Sequence, residues 1–243
     1  MNEPTKNVIV TGGASGIGLA VTQHCLGAGY RVAACDIDRD GLERLRHGPS
    51  DQRLAVYQVD VGDYTQVESL FNQMADGPDP TDLVNNAGIY LGKSVLQYSV
   101  EEMSQVFQTN CMGPLYLSRK FAQLLLAKHR TGSIVNISSV SGQDGSSDAV
   151  YGMAKAAVIG LTRSCALNFA PHIRVNAVAP GLVSTDMLAA IPEARIKEYR
   201  NSELIKEPIL PEDVAATVGF LLSDQSKHYT GAIFDLNNGQ YRR

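Results

Sequence analysis

Tyr151 and Lys155 stand four residues apart in Tyr151-Gly152-Met153-Ala154-Lys155, directly after a polar run from Ser138 to Asp148. On a helix, as the following Ala156-Ala157-Val158-Ile159-Gly160-Leu161 suggests, the phenol and the ammonium share one face about one turn apart. A cation beside a phenol favours the phenolate and pulls its pKa down from about 10, towards the range where protons exchange near neutrality. That is acid/base chemistry. Many helices carry such a pair, so its meaning depends on the elements that surround it.

The first of those elements is strand, glycine turn, helix. Val8-Ile9-Val10 is an apolar run of the kind a buried parallel strand needs. It ends at Thr11-Gly12-Gly13-Ala14-Ser15-Gly16-Ile17-Gly18, before an amphipathic stretch from Leu19 to Leu26. Gly12 suits a tight turn, Gly16 lets backbone approach a phosphate, and Gly18 lets the helix pack on the strand with its N-terminus facing the anion. A second strand, Arg31 to Cys35, ends in Asp36, 24 residues after Gly12, where a dinucleotide fold places an acid on the adenosine ribose. Asp36 accepts from a free 2′-hydroxyl and repels a 2′-phosphate, which favours NAD over NADP.

The alternation continues. Leu54 to Val59 reads as a strand ending at Asp60-Val61, Tyr64 to Met74 as a helix, and Asp82-Leu83-Val84 as a strand ending in Asn85-Asn86-Ala87-Gly88. Glu101 to Lys128 has helical spacing, with Asn110 inside it as either a satisfied core amide or a member of a polar site. Ile134 to Ile137 is a strand that delivers Ser138 and Ser139 to its end, and Ile173 to Ala179 is another, left by Pro180-Gly181-Leu182-Val183-Ser184-Thr185-Asp186. Residues about 186–211 are charged and read as a flap over a site; Pro211 starts a helix, and Ala232 to Leu236 forms the last strand. Seven strands alternating with helices imply an α/β fold, a Rossmann-type doubly wound parallel sheet in a single domain spanning 1–243. Ligands of such sheets bind at the strand C-termini, and every motif above falls there.

Composition narrows the function classes. At 44% hydrophobic and 19% charged residues with a net charge of −4, the 243-residue chain offers no general attraction to nucleic acid or to an anionic membrane. The N-terminus lacks the basic flank and apolar region of a secretory signal, and no run of about 18 apolar residues is present. Cys25, Cys35, Cys111 and Cys165 lie far apart within apolar patterns, as buried thiols of a cytoplasmic protein do. The five histidines form no ligand-spaced cluster, so no metal is expected.

Taken together, Thr11 to Gly18, Asn85 to Gly88, Asn110, Ser139, Tyr151-x-x-x-Lys155 and Pro180-Gly181 resemble the short-chain dehydrogenase/reductase family over nearly the whole chain. The resemblance implies that Tyr151 exchanges the proton with the substrate oxygen and Ser139 hydrogen-bonds that oxygen. It implies that Lys155 binds the nicotinamide ribose and lowers the tyrosine pKa, and that Asn110 holds a water in a proton relay. Ser138 is the alternative to Ser139, since they precede Tyr151 by 13 and 12 residues. The implied cofactor contacts are Gly12, Ser15, Gly16, Ile17, Gly18, Asp36, Asp60, Val61, Asn86, Ala87, Gly88, Pro180, Gly181, Val183 and Thr185, with Tyr151 and Lys155.

The expected activity is NAD(H)-dependent interconversion of a small-molecule secondary alcohol and its ketone, in a homotetramer or homodimer of the kind common in this family. The polar loop from Ser141 to Asp148, with Tyr90-Leu91 as a further wall, suggests a polar, hydroxylated or amine-bearing substrate. Similar enzymes reduce 3-oxoacyl thioesters and dock an acidic carrier with basic residues. Lys128-His129-Arg130 keeps one such region, whereas His172 stands where arginine is expected in the other. A catalytically silent NAD-binding regulator is the reading from another class, and no Gly-x-Ser-x-Gly elbow of a serine hydrolase is present.

Overall fold

The computed structural model describes residues 6–47 and 51–242; the N-terminal segment Met1 to Thr5 lies outside the described residues. Seven strands pair in the order β3-β2-β1-β4-β5-β6-β7, all parallel. They are β1 (Asn7–Thr11), β2 (Arg31–Asp36), β3 (Leu54–Gln58), β4 (Asp82–Asn85), β5 (Gly132–Ile137), β6 (Ile173–Pro180) and β7 (Ile233–Leu236). The order reverses between β1 and β4, so a crevice opens at the strand C-termini there.

Register explains why the strands read as unbroken apolar runs. Val10, Val84 and Val135 are paired neighbours on β1, β4 and β5 and face one side of the sheet. Ile9, Leu83 and Ile134 pair one position earlier and face the other. Helices α1 (Gly16–Gly27) and α8 (Pro211–Leu222) cover the valine side through Val21, Cys25, Val214, Val218 and Leu221. On the isoleucine/leucine side, α3 (Tyr64–Gln73), α5 (Gly113–Ala127) and α6 (Ala149–Phe169) close the core with Val67, Leu70, Leu117, Phe121 and Cys165. Helix α2 (Arg39–Arg46) follows β2, and α4 (Val100–Phe107) follows β4. A small third cluster of Tyr98, Val106, Val150 and Ala154 joins α4 to α6.

The stretch from Glu101 to Lys128 is not one helix. A π-helical turn, Gln108–Met112, separates α4 from α5. The widened turn points the Asn110 amide at Ile89, accepting from its N–H and donating to its carbonyl, both at 2.8 Å. The flap forms as a short 3₁₀ turn, Asp186–Ala190, and helix α7 (Glu193–Ser202), none of whose residues is buried. Leu204 and Ile205, just after it, donate their backbone N–H to the carbonyl of Asn238, which ties the base of the flap to the C-terminal turn.

Candidate active site

The glycine turn has the backbone that its sequence requires. Gly12 and Gly16 take φ of +64° and +49°, and a Cβ at Gly18 would fall 1.9 Å from the Gly12 carbonyl oxygen. The Thr11 hydroxyl accepts from the N–H groups of Asn86 and Ala87, while Asn86 Nδ2 donates to the carbonyls of Thr11 and Gly12, so β4's loop is bolted to the turn. Ser15 precedes α1 without a capping side-chain bond. The first N–H groups of α1 therefore stand without intrahelical partners at the mouth of a groove.

That groove is lined by Gly12, Ser15, Gly16, Ile17, Asp36, Asp60, Val61, Asn86, Ala87, Gly88 and Thr185. Of the remaining residues assigned to cofactor contact, Pro180, Gly181 and Val183 line the adjoining cavity, and Gly18 lies behind the turn as its packing residue. Asp36 is braced rather than free to swing: Oδ2 accepts from Ala14 N at 3.0 Å and Oδ1 from Asp38 N at 3.1 Å. A tight backbone cradle, an open helix N-terminus and a fixed carboxylate one strand away suit a dinucleotide's pyrophosphate and ribose.

The cavity around Tyr151 joins the groove through residues common to both, Ile17, Asn86, Gly88, Tyr90, Thr185 and Met187. Tyr151, Lys155, Ser138 and Ser139 line it together. Tyr151 lies on the first turn of α6, and Lys155, one turn on and 5% exposed, donates from Nζ to the Ile137 carbonyl at 2.9 Å. The two serines take different jobs. Ser138 Oγ donates to the Lys155 carbonyl at 2.8 Å, locking α6 to the end of β5. Ser139 Oγ accepts from Ser141 N at 3.1 Å and stands near enough to the Tyr151 phenol to favour its ionised form. Asn110 is not in this lining; with Lys155 it flanks Gly88, and its amide is taken up by Ile89.

Electrostatics depart from the sequence expectation. Burial pushes the Tyr151 phenol up to about 12, opposed by the nearby Ser139 hydroxyl and reinforced by Tyr90 and Asp148. Burial also pulls Lys155 down to about 8. The ammonium sits 5.7 Å from the centre of the Tyr151 ring, over the ring and turned to the Ile137 carbonyl, so the expected downward pull on the phenol is not the dominant effect.

Four residues escaped the sequence reading. Tyr199 from α7 and Gln240 from the C-terminal turn line the cavity, and neither carries a motif. Asp148, read as part of the polar loop facing the substrate, is instead 1% exposed and caps α6, and Tyr98 donates to it. An aspartate immediately before the apolar start Ala149-Val150 is an N-cap signal that could have found it. Within the same loop Asp144, Gly145 and Ser146 line the cavity as expected.

A family model described as enoyl-(acyl carrier protein) reductase matches residues 12–240. The chain is 34% identical to human (3R)-3-hydroxyacyl-CoA dehydrogenase, over 96% of this chain and 94% of that protein. It is 32% identical to meso-2,3-butanediol dehydrogenase of Serratia marcescens, covering 98% and 96%. Among solved structures, a 4-hydroxyisoleucine dehydrogenase complexed with NADH superimposes with a TM-score of 0.91 at 31% identity, covering 97% of this chain and 98% of the other.

Proposed function

This chain belongs to the short-chain dehydrogenase/reductase family, and from that premise we propose that it interconverts a small polar secondary alcohol and its ketone with NAD(H), using Tyr151 as general acid/base. It is a nicotinamide-dependent oxidoreductase of CH–OH and keto groups, as its relatives are. The observation that carries the residue assignment is the convergence of the Tyr151 phenol, the Ser139 hydroxyl and the Lys155 ammonium in a cavity that opens into the dinucleotide groove. When bound, the nicotinamide supplies the hydride acceptor or donor. Tyr151 takes the hydroxyl proton of the alcohol, and Ser139 donates to the oxygen as charge develops on it. Among the described residues Lys155 has one acceptor for its three N–H donors, which leaves two for a cofactor ribose. Asn110 holds the Ile89 backbone at the cavity wall and so sets where Gly88 and Tyr90 lie.

Asp36 supports NAD over NADP, because a fixed carboxylate about 4 Å from a 2′-phosphate costs on the order of 4 kcal/mol near a surface. The polar groups of the cavity, set in an otherwise apolar lining that includes Ile137, Val140, Leu182, Met187 and Leu188, support a polar substrate. Among the described residues Lys155 is the cavity's one basic residue and Asp144 its one carboxylate, and Gln240 presents a side-chain amide whose Oε1 has no hydrogen-bond partner there. The acyl-carrier reading is weakened at the surface. Lys128 and Arg130 both bind Asp79, at 2.7 and 2.9 Å, just before β5 and hence at the sheet edge opposite the cavity. Exposed Leu115 on α5 and Met153 on α6 support a homotetramer or homodimer assembled through these helices.

A panel of polyols, amino alcohols and 3-hydroxyacyl thioesters, each with NAD and NADP and followed by NADH or NADPH absorbance, tests the reading. The expected outcome is turnover of a small polar alcohol with NAD. A clear preference for the thioester, or for NADP, would overturn the corresponding half.

A further inference from the structure

Asp148 and Tyr98 lie outside the reacting set, yet they form the tightest polar contact around Tyr151. Tyr98 OH donates to Asp148 Oδ2 at 2.6 Å, and Asp148 Oδ1 accepts from the backbone N–H of Tyr151 at 3.0 Å. Both side chains are enclosed: Tyr98 packs with Val106, Val150 and Ala154, and Asp148 is 1% exposed. A carboxylate at a helix N-terminus is favourable, but a serine or asparagine caps equally well. A buried charge secured by a buried phenol exceeds what capping needs.

We propose that Asp148, held by Tyr98, is a positioning residue that fixes the first turn of α6 under Tyr151 and sets a carboxylate against the backbone that carries its phenol. The inference rests on the reading of Tyr151 as the general acid/base. The charge opposes phenolate formation, so it keeps Tyr151 protonated as a donor for ketone reduction and sets the pH at which alcohol oxidation begins. The direction agrees with the upward push of Asp148 on both Tyr151 and Tyr90. The other groups facing this pair are Lys155 on α6, Ser139 and Asp144 after β5, and Tyr90 after β4. Glu102 on α4, paired with Lys93, lies near Tyr98, while Tyr199 and Arg195 on α7 lie near Tyr90.

The test is the pH profile of kcat/KM for alcohol oxidation in Asp148→Asn, with Asp148→Ser as a second capping, uncharged variant should the first not fold. In either, the alkaline-rising limb should move to lower pH by on the order of half a unit to one unit. Tyr98→Phe keeps the charge, so its limb should not move downward, while kcat falls about threefold to tenfold as the first turn loosens. An unmoved limb in the folded capping variants, or an equal downward shift in Tyr98→Phe, would overturn the proposal. Tyr151→Phe separates the two readings: if it retains turnover the acid/base assignment fails, whereas if it is inactive and the limb stays put, only the role of Asp148 fails.

Discussion

Each edge of the sheet buries charge, and the two edges use it in opposite ways. At the strand N-termini, Asp82 opens β4 and sits 3.6 Å from Lys6, with Thr81 Oγ1 donating to it at 2.7 Å. Arg174, near the start of β6, donates to the carbonyls of Leu221, Ser223 and Ser226 at the end of α8, and Lys6 donates to that of Leu222. Ser133 and Ser226 add two further donors to Leu221. Burial pushes the Asp82 carboxyl up and pulls Arg174 down, the same signature as at the catalytic edge. What differs is unused capacity. The charged groups of the N-terminal cluster close on one another and on the orphan carbonyls of a helix end, with the neutral Asn7 Oδ1 as the unpartnered atom beside them, whereas among the described residues Lys155 itself keeps donors to spare, facing a cavity with Gln240 Oε1. A shifted pKa therefore does not identify a site here; a shifted group that itself keeps unused donors towards open space is the better mark.

The contrast is sharpest in Tyr151→Phe. Removing one hydroxyl should lower kcat/KM by about a thousandfold or more while the thermal midpoint and NADH affinity stay near wild type. Steady-state kinetics and NADH fluorescence titration check both halves. Retention of most activity would break the comparison at its catalytic end. Arg174→Met is the mirror experiment. It takes one donor from each of the Leu221, Ser223 and Ser226 carbonyls, which keep their others, and leaves Asp82 with one fewer cation, a loss of about 1–3 kcal/mol in denaturant unfolding. Turnover per folded molecule should stay within about twofold, and a larger change would mean that the two edges communicate.

The same distinction explains how much was legible in the sequence. The sheet was, because buried parallel strands impose continuous apolar runs and a glycine turn with positive φ admits few other residues. Tyr151 and Lys155 were, because helical spacing brings them to one face. The choice between Ser138 and Ser139 was not: adjacent residues of one type differ only in where the strand end turns them, and here one faces the Lys155 carbonyl and the other the phenol. Tyr98 and Gln240 were out of reach, since they are brought in from 53 residues before and 89 residues after Tyr151 by packing alone. The Tyr151 acidity was misjudged for the same reason. Sequence spacing gives the distance between charges but not the depth of burial, and burial is the larger influence.

Lys155 makes the comparison quantitative. Its pKa in the folded protein is about 8, below the 10.5 of the exposed side chain, so the folded state holds the ammonium at a penalty wherever it is charged. The sign follows from proton counting: between pH 8 and 10.5 the unfolded chain binds more protons at this position than the folded one, so stability rises with pH across that window. Below pH 8 the penalty is fully present, on the order of 2–3 kcal/mol once the Ile137 hydrogen bond is set against it. Lys155→Met, similar in length and able to fill the same space, should therefore be as stable as the wild type or about 1–2 kcal/mol more stable at pH 7, and the difference should shrink as pH approaches 10. Denaturant unfolding of the two proteins at a series of pH values measures it. Loss of stability in the variant at pH 7 would mean that Lys155 holds the fold as Arg174 does. A gain would mean that this edge keeps its charge for chemistry at the expense of stability.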